Sequence, residues 1–210
     1  MKLRIIVAGI ALGIASPIAM ANGIGYYGAL DLGQSTMAMD CSLGSLTSLG
    51  FTSSKCNDKA TSSRASVGYN FNDHFALEGS YISIGKFGAV ASGKNSLNQP
   101  IVLTANQDVS EIQFAAIFSK AIANNFSWLI KVGLANWNFK QSSNVSVAGV
   151  VTPLNPPSAS GIDFLLGIGV KYHINEMLAV RVQYERHNVG DTNTTKSTIT
   201  MPSAGLIFKF

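Results

Sequence analysis

Along most of the chain, large apolar side chains return at every second position, in runs of about a dozen residues. That period belongs to strands with one apolar and one polar face. Eight such runs are readable: about 23–33, 60–71, 74–85, 108–121, 126–139, 161–174, 177–188 and 197–210. In the fifth, Phe126, Trp128, Ile130, Val132 and Leu134 oppose Lys131. In the seventh, Leu178, Val180, Val182 and Tyr184 oppose Arg181, Gln183, Glu185 and His187. Pro202 cannot donate to a ladder, so it belongs at a bulge or where pairing is incomplete.

The connections alternate in length. Asn72-Asp73, Ala123-Asn124-Asn125 and Asn175-Glu176 read as tight turns built from residues that tolerate left-handed backbone. The others, about 34–59, 86–107, 140–160 and 189–196, read as long polar loops. Charges within the strands favour one parity: Glu78, Glu111, Lys131, Asp163, Lys171, Arg181 and Glu185 all oppose the apolar face, with Asp31, Arg64 and Lys209 as further members and Arg186, near the loop end, as an exception. A charge on a lipid-facing position costs about 2–4 kcal/mol at the midplane, so membrane insertion selects this parity. Aromatics gather beside the short turns, as an interfacial girdle would. The expected fold is all-β, an eight-stranded antiparallel up-and-down transmembrane β-barrel, with the short turns periplasmic and the long loops extracellular.

Composition changes this picture little. The chain is 47% hydrophobic but only 12% charged, and high apolar content without long apolar runs suits strands that face lipid. A soluble β-sandwich is the competing architecture. At the N-terminus, Lys2 and Arg4 precede the apolar run 5–14 and small residues ending at Ala19-Met20-Ala21. Residues 1–21 are therefore expected to be a cleaved signal peptide and 22–210 the barrel domain. Losing Lys2 and Arg4 takes the formal charge from +4 to +2, which does not argue for nucleic acid. Cys41 and Cys56, sent to an oxidising compartment, are expected to form a disulfide on the first long loop. No His or second Cys pair has metal-ligand spacing, and no cofactor is indicated.

Five segments also look familiar: Tyr26-Tyr27-Gly28-Ala29, Glu78-Gly79-Ser80-Tyr81, Leu129-Ile130-Lys131-Val132-Gly133, Gly169-Val170-Lys171-Tyr172 and Val180-Arg181-Val182-Gln183-Tyr184. With the eight-strand pattern, they make the chain resemble the transmembrane domain of OmpA and the related opacity-type surface proteins. The resemblance implies a lumen pair between Glu78 and Arg181. Lys171 departs from it, standing where that family has an acid, and cell-wall anchoring is not carried over.

Three sites can be weighed for function. An eight-stranded lumen is only wide enough for its own side chains, so Glu78, Lys131, Lys171, Arg181 and Glu185 are expected to neutralise one another in a polar plug. The alternative is a narrow, low-conductance ion channel gated by exchange of partners among those charges. The loops are the favoured site, as loops on a rigid scaffold usually are. Pro153, Pro156 and Pro157 stiffen the third, while Lys86 and Lys94 in the second could meet lipopolysaccharide phosphates or an acidic host surface. Catalysis is disfavoured: His74 and His173 lie beside turns, and no motif joins His187 to Ser197 or Glu185. The expected role is a barrel that stabilises the envelope and presents loops for adhesion or host interaction. Its expected partners are outer-membrane lipid, lipopolysaccharide, the barrel-insertion machinery through the strand ending at Phe210, and host surface molecules.

Overall fold

The computed structural model describes residues 24–39, 41–154, 156, 158–189 and 197–210. The expected signal peptide, Pro157 and residues 190–196 of the last loop lie outside the described residues. The strands are β1 (Gly25–Met37), β2 (Phe51–Asn57), β3 (Lys59–Asn70), β4 (Phe75–Lys94), β5 (Pro100–Ala123), β6 (Phe126–Val147), β7 (Val150–Leu154), β8 (Ala159–His173), β9 (Leu178–Val189) and β10 (Ser197–Lys209), with a 3₁₀ helix at Gly44–Leu49. Eight of them form a closed antiparallel ring in the order β1, β3, β4, β5, β6, β8, β9, β10 and back to β1. Closure leaves this ring no free edge, which a bilayer demands. The two short strands lie outside it, β2 on β4 and β7 on β6.

The tight turns form where asparagine can replace backbone acceptors. The Asn72 Oδ1 accepts from the backbone N–H of His74 and Phe75 at 2.8 and 2.9 Å. At the third turn the Asn175 Oδ1 accepts from Met177 and Leu178 at 2.9 and 2.8 Å. Around this rim aromatic rings touch in series, Tyr26 to Tyr69 to Phe71 to Phe75 to Phe118, with centroids 4.8–5.5 Å apart. Pro202 keeps register with Tyr184 on β9, while pairing with β1 lapses between Gly33–Ser203 and Thr36–Thr200. The missing N–H is accommodated at that lapse.

The alternation holds around the wall. Leu30, Leu32, Val67, Phe114, Phe164 and Val182 face outward, whereas Asp31, Arg64, Glu78, Glu111, Lys131, Arg181 and Glu185 are buried inside. The interior is stacked in layers. An apolar floor of Tyr27, Ala29, Ala76, Ile117, Leu129, Ala179 and Ile207 sits nearest the short turns. The charged residues come next, and above them an apolar roof includes Ile82, Phe87, Val109, Trp137, Ile199 and Met201.

Three of the long polar loops are corrected by the structure. β4, β5 and β6 run to 20, 24 and 22 residues, about twice the 9–11 that cross a bilayer. Residues 86–94 and 100–107 are therefore strand, joined by a turn at 95–99, and 140–147 and 150–154 are strand as well. Lys86 and Lys94 lie in β4, not in a loop. The physical reason is solvent: beyond the membrane the outer face of a strand meets water, so Ser, Thr and Asn replace the apolar residues that mark a lipid-facing strand. The first loop likewise contains the 3₁₀ helix and β2.

Candidate functional site

One ion-paired network fills the charged layer. The Arg181 guanidinium grips Asp31 with two bonds, Nε to Oδ1 at 2.8 Å and Nη2 to Oδ2 at 2.6 Å, and its Nη1 donates to Glu78 Oε2 at 2.5 Å. Glu78 also accepts from Tyr27 Oη at 3.0 Å, Lys131 Nζ at 3.1 Å and Ser80 Oγ at 3.2 Å. Lys131 continues to Glu185 at 3.0 Å, and Glu185 pairs with Arg64. Gln113 lies 3.4 Å from Lys131 and donates to Glu111 at 3.0 Å, and Glu111 faces His187 Nε2 at 2.7 Å. Four carboxylates thus meet Arg64, Lys131, Arg181 and His187, all buried. Burial of charge is tolerable only with such pairing, because each ion forfeits its hydration.

Several links skip over a strand, and glycine lets them. Gly205 of β10 is in register with both Asp31 and Arg181. A Cβ there would stand 2.3 Å from Asp31 Oδ1, so only glycine lets that pair close. Gly167 of β8 lies between Lys131 and Glu185, where a Cβ would come within 2.9 Å of Glu185 Cγ. Gly68 of β3 lies between Tyr27 and Glu78, and a Cβ would strike the Tyr27 ring at 2.2 Å.

The structure brings together Glu78, Arg181, Lys131 and Glu185. Lys171 is not part of that network and is corrected here. It sits one layer lower, near the short-turn rim, opposite Arg181 in the ladder. Arg181 holds Asp31 and Glu78, and among the described residues no carboxylate lies within ion-pair distance of Lys171. Asp31, Arg64, Glu111, Tyr27, Gln113 and His187 complete the network. Their inward parity is readable in the sequence, but their choice of partners is not. The crossing glycines share that parity, which is the signal that could have found them. His187 lies buried on Glu111 beneath the roof.

Above the roof the second candidate site takes shape. The inner face of the continuing sheet buries Phe51, Ala91 and Ile101, with Leu103, Val147, Leu43 and Leu46 packed on them. Leu43 and Leu46 come from the first loop, so its 3₁₀ helix covers this face. Cys41 and Cys56, 15 residues apart, are joined by a disulfide that ties this cover to β2. The outer face is polar. The Ser53 and Ser92 hydroxyls meet at 2.8 Å, and Lys55, Lys86 and Lys94 are exposed. Lys55 pairs with Val90, midway between the two lysines of β4, which spaces the three charges by about 13 Å along the strand direction.

Comparison with known proteins adds the following. The family described as OmpA-like transmembrane domain matches residues 21–210. Among solved structures, Neisserial surface protein A is similar, with a TM-score of 0.53 and 17% identity over 89% of this chain and 97% of that one. The attachment invasion locus protein Ail of Yersinia pestis is similar with a TM-score of 0.50 and 15% identity, over 90% of this chain and 100% of its own. At such identities the likeness is one of fold. No curated protein sequence matches.

Proposed function

Because the chain belongs to the OmpA-like transmembrane domain family and is an integral outer-membrane β-barrel, we propose that it is a closed scaffold that stabilises the envelope and displays an extracellular sheet for adhesion or host contact. The observation that carries this reading is the layering of the interior. An ion-paired charge network lies between an apolar floor and an apolar roof, while β4, β5 and β6 continue beyond the membrane into a disulfide-stapled sheet. Charges already held in short pairs favour one another over a permeating ion, and the apolar layers repel water from both sides. The exposed face with Lys55, Lys86 and Lys94 supplies the contact surface, matched to phosphate- or sulfate-bearing glycans such as lipopolysaccharide or an acidic host surface. Residues 1–21 serve as the cleaved leader, and the strand ending at Phe210 engages the insertion machinery.

The deciding experiment is conductance of the refolded protein in a planar lipid bilayer, beside a variant carrying Glu78→Ala and Arg181→Ala. Silence in both, with folding confirmed by a heat-dependent gel shift, is the expected result. Discrete openings in the unsubstituted protein that the variant alters would establish a channel instead. Adhesion is tested by binding to immobilised lipopolysaccharide and to host cells, which the Lys55→Gln, Lys86→Gln, Lys94→Gln protein should lose. The intact mass of the protein from the outer membrane tests cleavage after Ala21.

A further inference from the structure

Beneath the floor, the lumen opens at the short-turn rim into a small cavity lined by Tyr27, Asn70, Lys171, His173 and Lys209 among others. Lys171 and His173 come from β8 and Lys209 from β10, and all three share the inward parity of their strands. Lys171 lies within electrostatic reach of Lys209, so two like charges have been gathered, with the His173 ring beside them. Among the described residues, no carboxylate comes within ion-pair distance of any of the three. The acid nearest in the stack is Glu78, whose oxygens are taken by Tyr27, Ser80, Lys131 and Arg181.

We propose that this periplasmic mouth is a binding site for a phosphate-bearing anion, held by Lys171, Lys209 and His173. Two half-buried lysines without a counter-charge repel one another, and an anion with several equivalent oxygens relieves that repulsion while accepting from both lysines and from the His173 ring. The cavity measures about 20 Å³, space for one oxygen-sized group. The anion therefore rests at the mouth with one oxygen reaching inward and the rest of its bulk in the periplasm. Either a phospholipid headgroup of the inner leaflet or a free periplasmic phosphate offers this chemistry.

The test uses the full mature protein, refolded in a non-ionic detergent free of phosphate. Inorganic phosphate is titrated by calorimetry, and retention of phosphatidylglycerol is read by native mass spectrometry. Three proteins are compared: unsubstituted, Lys171→Gln with Lys209→Gln, and Lys59→Gln with Lys140→Gln, two exposed lysines outside both candidate sites, as a charge-matched control. Saturable phosphate binding that weakens about tenfold or more only in the mouth variant supports the site with a free anion as its ligand. Phosphatidylglycerol retained by the control and lost by the mouth variant supports the site with lipid as the source. Absence of both kinds of binding, or equal weakening in the two variants, overturns the proposal. If the glutamine variant fails to give the heat-dependent shift, Lys171→Ser and Lys209→Ser introduced singly serve in its place, each expected to weaken binding, and unchanged binding in both overturns the proposal.

Discussion

Strand β6 passes through two environments, and its two faces exchange character between them. In its first half the outward residues are Phe126, Trp128, Ile130, Val132 and Leu134, while Lys131 points inward to the ion network. In its second half the outward residues are Asn136, Asn138, Lys140, Ser142 and Asn144, and the inward ones include Trp137, Phe139 and Val147. The backbone is one continuous strand paired throughout with β5. Nothing in strand geometry changes at Asn136. What changes is the solvent outside, from hydrocarbon to water, and with it the side that has to be apolar. The lower part of the molecule is a membrane barrel with a polar inside, and the upper part is a small water-facing sheet with an apolar inside.

The sharpest way to break this comparison is to strip one ion from the lower interior. Arg181→Ala leaves Asp31 and Glu78 buried without their main partner and should cost about 3–5 kcal/mol, read by urea unfolding in lipid vesicles. A loss below about 1 kcal/mol would mean that the layer is hydrated and its pairs are dispensable. Next come two substitutions on the same face of one strand. Val132→Lys should cost about 2–4 kcal/mol and lower the folded fraction in a gel-shift assay, whereas Asn144→Lys should be close to neutral. Equal costs would move the boundary away from Asn136.

The disulfide separates the two regions in another way. Reduction, or Cys41→Ser with Cys56→Ser, should release about 3 kcal/mol of unfolded-state restraint from the upper sheet alone. Limited proteolysis should then cut within 41–56 while the barrel's heat-dependent shift stays unchanged. A loss of membrane insertion would place the staple in the barrel's own stability. The smallest effect is expected from Gly205→Ala, about 1–3 kcal/mol, because the added methyl stands 2.3 Å from both Asp31 Oδ1 and the Leu30 backbone oxygen, so the side chain and the strand must both shift. In an Asp31→Ala background, where the side-chain part of the clash is gone, the alanine should cost less than it does alone, and additive costs would show that the crossing is not what glycine protects.

Much of the fold was legible because a lipid-exposed strand obeys a stringent rule. The outward face had to be apolar, so the parity of Phe114, Val132, Phe164 and Val182 also assigned Asp31, Arg64, Glu111 and Lys131 to the interior. The Glu78–Arg181 pair, expected from the family resemblance, is present at 2.5 Å. The same rule explains the errors. Gln141-Ser142-Ser143-Asn144 reads as loop because a strand bathed in water on its outer face has no reason to be apolar there. Lys171 was placed in the network by parity alone, and parity says nothing of height.

What the sequence by itself determined is which way each residue of the membrane wall faces, since that is decided locally, two residues at a time, by the solvent. It also determined the three tight turns, in two of which an asparagine, Asn72 or Asn175, bonds to backbone only two or three residues away. Only the tertiary structure decided who meets whom across the lumen, because partners such as Asp31 and Arg181 are set by the registers of three strands and by a glycine on the one between them. It alone placed Lys171, His173 and Lys209 of β8 and β10 at one mouth, and the disulfide-tied helix over the upper sheet. Those outcomes depend on closure of the ring, a property that no stretch of sequence possesses until every strand is in place.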